Sequence, residues 1–428
     1  MIRRVLLLAL LLGAAVTAFF VFYHPPMRLM PVPLLFREGA GAILGVTPEL
    51  VEDSRIPLYY ATNRLPVGPQ DDRLYTVAPD RRLHLGTATL RIGDENATLA
   101  QLYEWTTGTG TSDRPFIHLE NMREAANVPQ GEAPDADALG FFAGIDAALA
   151  ASRGRDLIVY VHGANTTVER AAGQAAQLRH FTGRDAVVVL YAWPTAENFL
   201  RYPRDIETAF GAAPHLAEFL DLLAEHTSAR AIDVFTYSAG ATIGSAALAR
   251  VAADHPAAAA RLGEIVHAAP DADFRGFVDD LETYAPHARR TTAAVNLGDS
   301  ALRLAQVVNR ASRAGRPDLA ELDEEAAAWL LDAADDDGLE IVQVSPETMP
   351  ALPATSHTFW YDDPWVSGDV LVTLLFHLAP VERGLDPGTA ASGTRYWTFP
   401  ADYPDRVPAV LDRIRARLRE PQAAVTAP

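Results

Sequence analysis

The chain has 428 residues, 49% hydrophobic and 21% charged, so it can bury a sizeable core in one large domain or two smaller ones. Asp and Glu outnumber Lys and Arg 55 to 36, and the net charge is −19, which argues against a nucleic-acid partner. The chain contains neither Cys nor Lys. Thiol nucleophiles, Cys–zinc sites, Schiff-base chemistry and Ser–Lys dyads are therefore excluded.

An apolar, uncharged segment runs from Val5 to Tyr23, directly after Arg3 and Arg4. As a helix it would be about 28 Å long, close to the ~30 Å hydrocarbon core of a bilayer. The two arginines should stay on the cytoplasmic side. The sequence therefore predicts a membrane anchor or signal over residues 1–24, with the rest of the chain on the periplasmic side. A cleaved signal, which would leave a secreted or periplasmic protein, and a buried helix are the alternatives.

Four prolines follow the apolar segment, and residues 25–54 are predicted to be an extended linker. A large domain is predicted over 55–405 and a C-terminal tail over 406–428. Near the start of the domain, apolar residues alternate in two stretches, around residues 57–62 and 83–92, which predicts antiparallel edge strands. Residues 104–136, rich in Gly, Thr, Asp and Pro, are predicted to be a loop.

From residue 137 onward, short and uniformly apolar strands alternate with helices. This rhythm predicts an α/β fold with a mostly parallel sheet covered by helices on both faces. The predicted strands are Leu157–Val161, Ala186–Tyr191, Ala231–Phe235, Glu264–Ala268, Thr291–Leu297 and Leu339–Val344. The predicted helices are Ala136–Ala151, Val168–Phe181, Ile206–His226, Ala241–Asp254, 272–284, 300–313, 320–338 (an acidic surface helix) and Trp365–His377.

Ser238 lies between a predicted strand and a predicted helix, in the sequence Thr236-Tyr-Ser-Ala-Gly240. A serine on a sharp strand-to-helix turn projects above the sheet as a nucleophile, and the residues two positions away on either side must be small. Gly240 meets this need and Thr236 meets it in part. The alternative interpretation is a serine that caps the following helix.

Backbone N–H groups near Ser238 are the candidates for an oxyanion hole. His162 and Gly163 follow an early strand, which is where a fold with a serine on a strand-to-helix turn places one donor. The predicted donors are the N–H groups of Ala239 and of Ala164 or Asn165. The candidate substrate-binding side chains are Tyr237, Trp193 and His162; packing at a strand end is the alternative for Trp193, and packing beneath the site for His162.

The general base and the acid that orients it are sought after Ser238, because this fold uses the chain order Ser, acid, His. Only His357 and His377 follow Asp299, and His377 falls inside an apolar helix. His357 is therefore the predicted base. Asp299, at the end of a strand, is the predicted acid; Asp271 and Asp273, after the preceding strand, are the alternatives, with helix capping as another role for Asp271.

Several motifs occur in one order over roughly residues 56–385 and resemble a single family, the bacterial α/β-hydrolases described as a domain of unknown function (DUF900). The family's usual His-Ser-Met-Gly is Tyr-Ser-Ala-Gly here, which changes the pocket rather than the catalytic groups. The motifs are Ala61-Thr-Asn-Arg64, Val161-His-Gly-Ala-Asn165, Tyr191-Ala-Trp-Pro194, Tyr237-Ser-Ala-Gly240, Ala269-Pro-Asp-Ala-Asp273, Asp299-Ser-Ala-Leu302 and Ser356-His-Thr-Phe359.

The resemblance implies an α/β-hydrolase fold and a triad of Ser238, Asp299 and His357. The predicted function is hydrolysis of a carboxylic ester, small or lipid-like, through an acyl-enzyme, without a metal or other cofactor. The alternatives are a membrane-tethered binding or scaffold protein that has lost turnover, and a thioesterase or peptidase. Neither the substrate nor the oligomeric state follows from the sequence.

Overall fold

The computed structural model describes residues 11, 13, 26–37, 50, 52–110, 114–335 and 338–419. The predicted anchor at Val5–Tyr23 lies outside these residues except at two positions. Within the described part of the chain, no helix has both the length and the apolar character needed to cross a bilayer. The described strands form one twelve-stranded sheet in the order β1-β4-β3-β2-β6-β5-β7-β8-β9-β10-β12-β11.

The sheet is parallel from β2 to β12 and antiparallel at both ends. Its central strands are buried along their whole length, as a parallel sheet covered on both faces requires. The strands are β1 (Met27–Arg28), β2 (Arg55–Val67), β3 (Leu74–Ile92), β4 (Phe116–Pro129), β5 (Leu157–Val161), β6 (Val187–Tyr191), β7 (Ile232–Tyr237), β8 (Leu262–Ala268), β9 (Arg290–Val295), β10 (Leu339–Gln343), β11 (Asp386–Thr389) and β12 (Arg395–Thr398).

Helices cover both faces of the sheet, and successive strand residues point to opposite sides: Ile158 and Tyr160 join one core, Leu157 and Val159 the other. The predicted mostly parallel sheet with helices is thus confirmed. The helices are α1 (Leu99–Thr107), α2 (Ala136–Ala151), α3 (Val168–Phe181), α4 (Tyr202–His226), α5 (Gly240–Asp254), α6 (Pro256–Ala259), α7 (Phe274–Tyr284), α8 (Ser300–Asn309), α9 (Glu324–Asp335), α10 (Phe359–Asp362), α11 (Pro364–Phe376) and α12 (Tyr403–Arg419).

The predicted loop over residues 104–136 is wrong. It contains the end of α1 and all of β4, which pairs with β3 along eleven registered residues. The alternation in β4 is hidden in the sequence because its buried positions include Met122 and Ala126 among many polar residues. Only one side of this strand packs on the core, so composition alone resembles a loop.

The described parts of the predicted linker (25–54) and of the predicted tail (406–428) are packed against the domain. Residues 27–36 are largely buried; the Phe36 ring packs edge-on against Phe181, and Met30 N–H donates to Gln177. At the other end, α12 buries one apolar face against the domain. The prolines near the start of this segment indicate an extended chain, but an extended chain can still pack against the domain.

Candidate active site

Ser238 lies on a tight turn between β7 and α5, with φ of +53° and only 8% of its surface exposed. The turn brings backbones so close that a Cβ on Gly240 would lie 2.5 Å from the carbonyl oxygen of Val161. Thr236 is tolerated because Gly244, one turn into α5, has no side chain where the threonine methyl lies. A left-handed non-glycine residue in such a turn is typical of a nucleophile elbow.

Three side chains from distant loops meet at the carboxyl ends of the strands. His357 Nε2 lies 2.8 Å from Ser238 Oγ, and His357 Nδ1 lies 2.6 Å from Asp299 Oδ2. The carboxylate is fully buried, whereas the histidine side chain is 18% exposed. When the three groups are linked in the order hydroxyl, imidazole, carboxylate, a proton can pass from the serine to the histidine.

Asp299 is held by the helix it begins. Its Oδ1 accepts hydrogen bonds from the N–H groups of Ala301 (2.8 Å) and Leu302 (3.1 Å) in α8, which leaves Oδ2 for His357. The helix dipole also favours a negative charge at this position. The same carboxylate therefore caps a helix and fixes the imidazole.

The alternative residues have other partners. Asp271 forms an ion pair with Arg313 (2.5 Å) and accepts from Tyr202 (2.7 Å), so the expectation that it caps a helix is wrong. Asp273 is the residue that caps α7. His377 ends α11 in the left-handed conformation, as expected for a helix-end residue, and contacts acidic side chains away from Ser238.

The number of candidate oxyanion-hole donors falls once the backbone N–H groups that already donate to another acceptor are set aside. The N–H of Asn165 donates to Asp205 Oδ2 (3.0 Å), so Asn165 is not free to bind an oxyanion, contrary to one of the two predictions. The N–H groups of Ala164 and Ala239 have no acceptor among the described residues. These two remain as the candidate pair.

The three predicted substrate-binding side chains are all buried in the structure, and their binding of a substrate stays a prediction. Trp193 and His162 stack at 5.5 Å, both with no exposed surface, and the indole N–H donates to the His162 carbonyl. Burial and the Arg64 charge lower the pKa of His162 to about 3, so its ring is neutral. Tyr237 packs its ring 5.4 Å from that of His357, so it supports the imidazole.

Gly163 is a functional position to which the sequence assigned no side-chain requirement. A Cβ there would lie 2.9 Å from the Ser238 Cβ and 3.4 Å from its Oγ. We expect Gly163→Ala to displace the nucleophile and to lower kcat/KM about 10- to 100-fold. Steady-state kinetics measures this. Gly140→Ala is the matched control, since its Cβ meets nothing within 4 Å; equal activity in both variants would contradict the prediction.

Asn296 is a second position that sequence reasoning missed. It is buried at the end of β9, and its Nδ2 donates to the carbonyl of Ser356, next to the base (2.8 Å). We expect Asn296→Ala to loosen the His357 loop, to cost about 1–3 kcal/mol of unfolding free energy and to lower kcat at least ~10-fold. Denaturant unfolding and kinetics test this, with Asn121→Ala as control, because the half-buried Asn121 side chain also donates to a backbone carbonyl, that of Asp71. A stability loss without any fall in kcat would contradict it.

The fold and the geometry define the class of protein: a sheet of this topology with a serine on a strand-to-helix turn and a histidine and carboxylate beside it is an α/β-hydrolase. Residues 142–348 match the family model described as "Alpha/beta hydrolase of unknown function (DUF900)", which is the family that the motifs of the sequence resemble. The matched range includes Ser238 and Asp299 and ends before His357. No curated protein matches the chain.

Proposed function

We propose that the protein is a serine hydrolase that cleaves carboxylic esters, with Ser238 as nucleophile, His357 as general base and Asp299 as the orienting acid. The observation that carries the proposal is the continuous pair of short contacts, 2.6 Å and 2.8 Å, that links carboxylate, imidazole and hydroxyl. The strained turn under Ser238 and the buried carboxylate add support. Helix capping alone would not require a histidine against the hydroxyl.

In the proposed reaction His357 Nε2 takes the Ser238 hydroxyl proton while Oγ forms a bond to the ester carbonyl carbon. The carbonyl oxygen becomes an oxyanion, which the N–H groups of Ala239 and Ala164 stabilise. The intermediate collapses, the C–O bond of the ester breaks, and His357 gives its proton to the departing alcohol. A water molecule, deprotonated by His357, then releases the acid and restores Ser238.

A fluorophosphonate probe tests the proposal directly, because it reacts with activated serines. With full-length protein in detergent, we expect one probe per chain on the peptide containing Ser238, and none after heat denaturation. A panel of chromogenic esters, thioesters and peptides should give fastest turnover with an ester. Folded protein that stays unlabelled would count against catalysis and favour a binding or scaffold role.

We also propose that the chain is held at a membrane with this domain on the periplasmic side. The support comes from the sequence alone, namely the uncharged apolar run Val5–Tyr23 after two arginines. Fractionation combined with mass measurement of the mature N-terminus tests it. Recovery of the protein in the soluble fraction with residues 1–24 still present would contradict it.

A further inference from the structure

Two loops lie side by side beneath the oxyanion hole. The first, here called the oxyanion loop, is residues 162–166 after β5; the second, the β6 loop, is residues 193–197. Thr195 Oγ1 joins them, because it donates to the carbonyl of Thr166 (2.7 Å) and accepts from the Thr166 N–H (3.3 Å). The Trp193 indole also donates to the oxyanion loop.

Arg64, from strand β2, lies between these loops with no exposed surface. Its guanidinium donates to both loops at once. The acceptors are the carbonyls of Trp193 (2.9 Å) and Thr166 (3.1 Å), the hydroxyl of Thr195 (3.2 Å) and the carboxylate of Glu197 (2.6 Å). A planar fork of five N–H groups can donate to all four acceptors at once, whereas a lysine ammonium has only three N–H groups.

Both loops contain a non-glycine residue in the left-handed region, Asn165 with φ of +50° and Glu197 with φ of +52°. Such conformations cost about 1–3 kcal/mol and persist only where the surroundings fix them. Arg64 binds the carbonyl of the residue after Asn165 and the side chain of Glu197 itself. Asp205 adds a second attachment, accepting from the N–H groups of Asn165 and Ala196.

We propose that Arg64 is a positioning residue of the oxyanion hole, which holds the loop around Ala164 so that its N–H stays directed at the carbonyl oxygen of the substrate. The inference rests on the proposed hydrolase function. It assigns a role to the Ala61-Thr-Asn-Arg64 motif, to which the triad gives none. Arg64 touches no triad residue through a hydrogen bond among the described residues, so its effect on catalysis passes through the loop.

The test compares Arg64→Gln and Arg64→Lys with Arg383→Gln. Arg383 is a matched control because it is equally buried and pairs with Glu340 (2.7 Å), away from the carboxyl ends of the strands. All three variants should unfold at lower temperature, so rates are measured well below the lowest Tm. For Arg64→Gln we expect kcat to fall about 10- to 100-fold with KM within about twofold, because the loss falls on the transition state.

Two further readouts separate positioning from a general loss of structure. The inhibition constant of an aryl boronic acid, which forms a tetrahedral adduct on serine, should rise in Arg64→Gln by the same factor as kcat/KM falls. The pH dependence of kcat/KM should keep its midpoint, since His357 and its partners are untouched. Arg64→Lys should lie between Arg64→Gln and the parent protein.

An unchanged kcat in folded Arg64→Gln, or an equal fall in Arg383→Gln, would overturn the inference. If Arg64→Gln does not fold, Thr195→Val removes the hydroxyl that joins the two loops at nearly constant volume, and it should lower kcat in the same selective way; an unaffected kcat there overturns the inference too. Fluorophosphonate labelling separates this failure from that of the hydrolase proposal, because the parent protein must be labelled at Ser238 in either case.

Discussion

Ser238→Ala is expected to lower kcat for ester hydrolysis by about 10⁶-fold, the loss that removal of the nucleophile causes in triad hydrolases. Fluorophosphonate labelling should disappear in parallel. Residual activity about 10³- to 10⁴-fold above the uncatalysed rate would come from the oxyanion hole and substrate binding. Kinetics at high enzyme concentration, with protein free of parent contamination, measures the loss.

The stability of the same position can be predicted separately. Ser238 has φ of +53°, which glycine adopts with less strain than serine or alanine. Ser238→Gly should therefore be as inactive as Ser238→Ala but more stable than it by about 1 kcal/mol. Ser245→Ala removes a hydroxyl in α5 that donates to Asp280 in α7; it serves as the control and should keep its kcat. Substantial turnover in Ser238→Ala would end the triad mechanism.

Asp299→Asn is expected to lower kcat about 10⁴-fold while leaving the fold nearly as stable. The Asn carbonyl oxygen can still accept from the N–H groups of Ala301 and Leu302, so the cap on α8 is kept. The Asn amide N–H₂ would then face His357 Nδ1. The imidazole would have to carry its proton on Nε2, which points at Ser238 and could no longer accept the hydroxyl proton.

Asp273→Asn gives the matched control for this prediction. Asp273 also caps a helix after a neighbouring strand, through the N–H of Gly276, but it makes no contact with the triad. Its Asn variant should keep full activity. Thermal unfolding of both variants, with kinetics, decides the outcome: an active Asp299→Asn protein, or an inactive Asp273→Asn protein, would show that the acid has been assigned to the wrong residue.

The convergence of three side chains at the strand ends could be predicted from the sequence. Ser238, Asp299 and His357 each follow a predicted strand, and a parallel sheet brings its carboxyl ends to one edge whatever the loops do. The order along the chain then left few candidates for each position. That is why three residues spread over 120 positions could be grouped before any distance was known.

The rest of the site depends on contacts that leave no local signal. Whether Ala164 or Asn165 offers its N–H is decided by Asp205, forty residues away. The burial of Trp193 and its stacking on His162 follow from how two neighbouring loops pack. In the sequence, a tryptophan after a strand looks the same whether it packs in the interior or contacts a substrate. Asp271 resembled a cap because Arg313, its partner, is equally remote.

The packing of residues 26–37 limits how far the domain can stand from a bilayer. Met27 is already in the core, so at most ~14 Å of extended chain separates it from Tyr23 at the end of the apolar run. If that run is inserted, the domain lies close to the lipid headgroups, because so few residues separate it from the bilayer. The domain would then meet only substrates close to the bilayer. A flexible insertion before Met27 should let the domain meet substrates farther away.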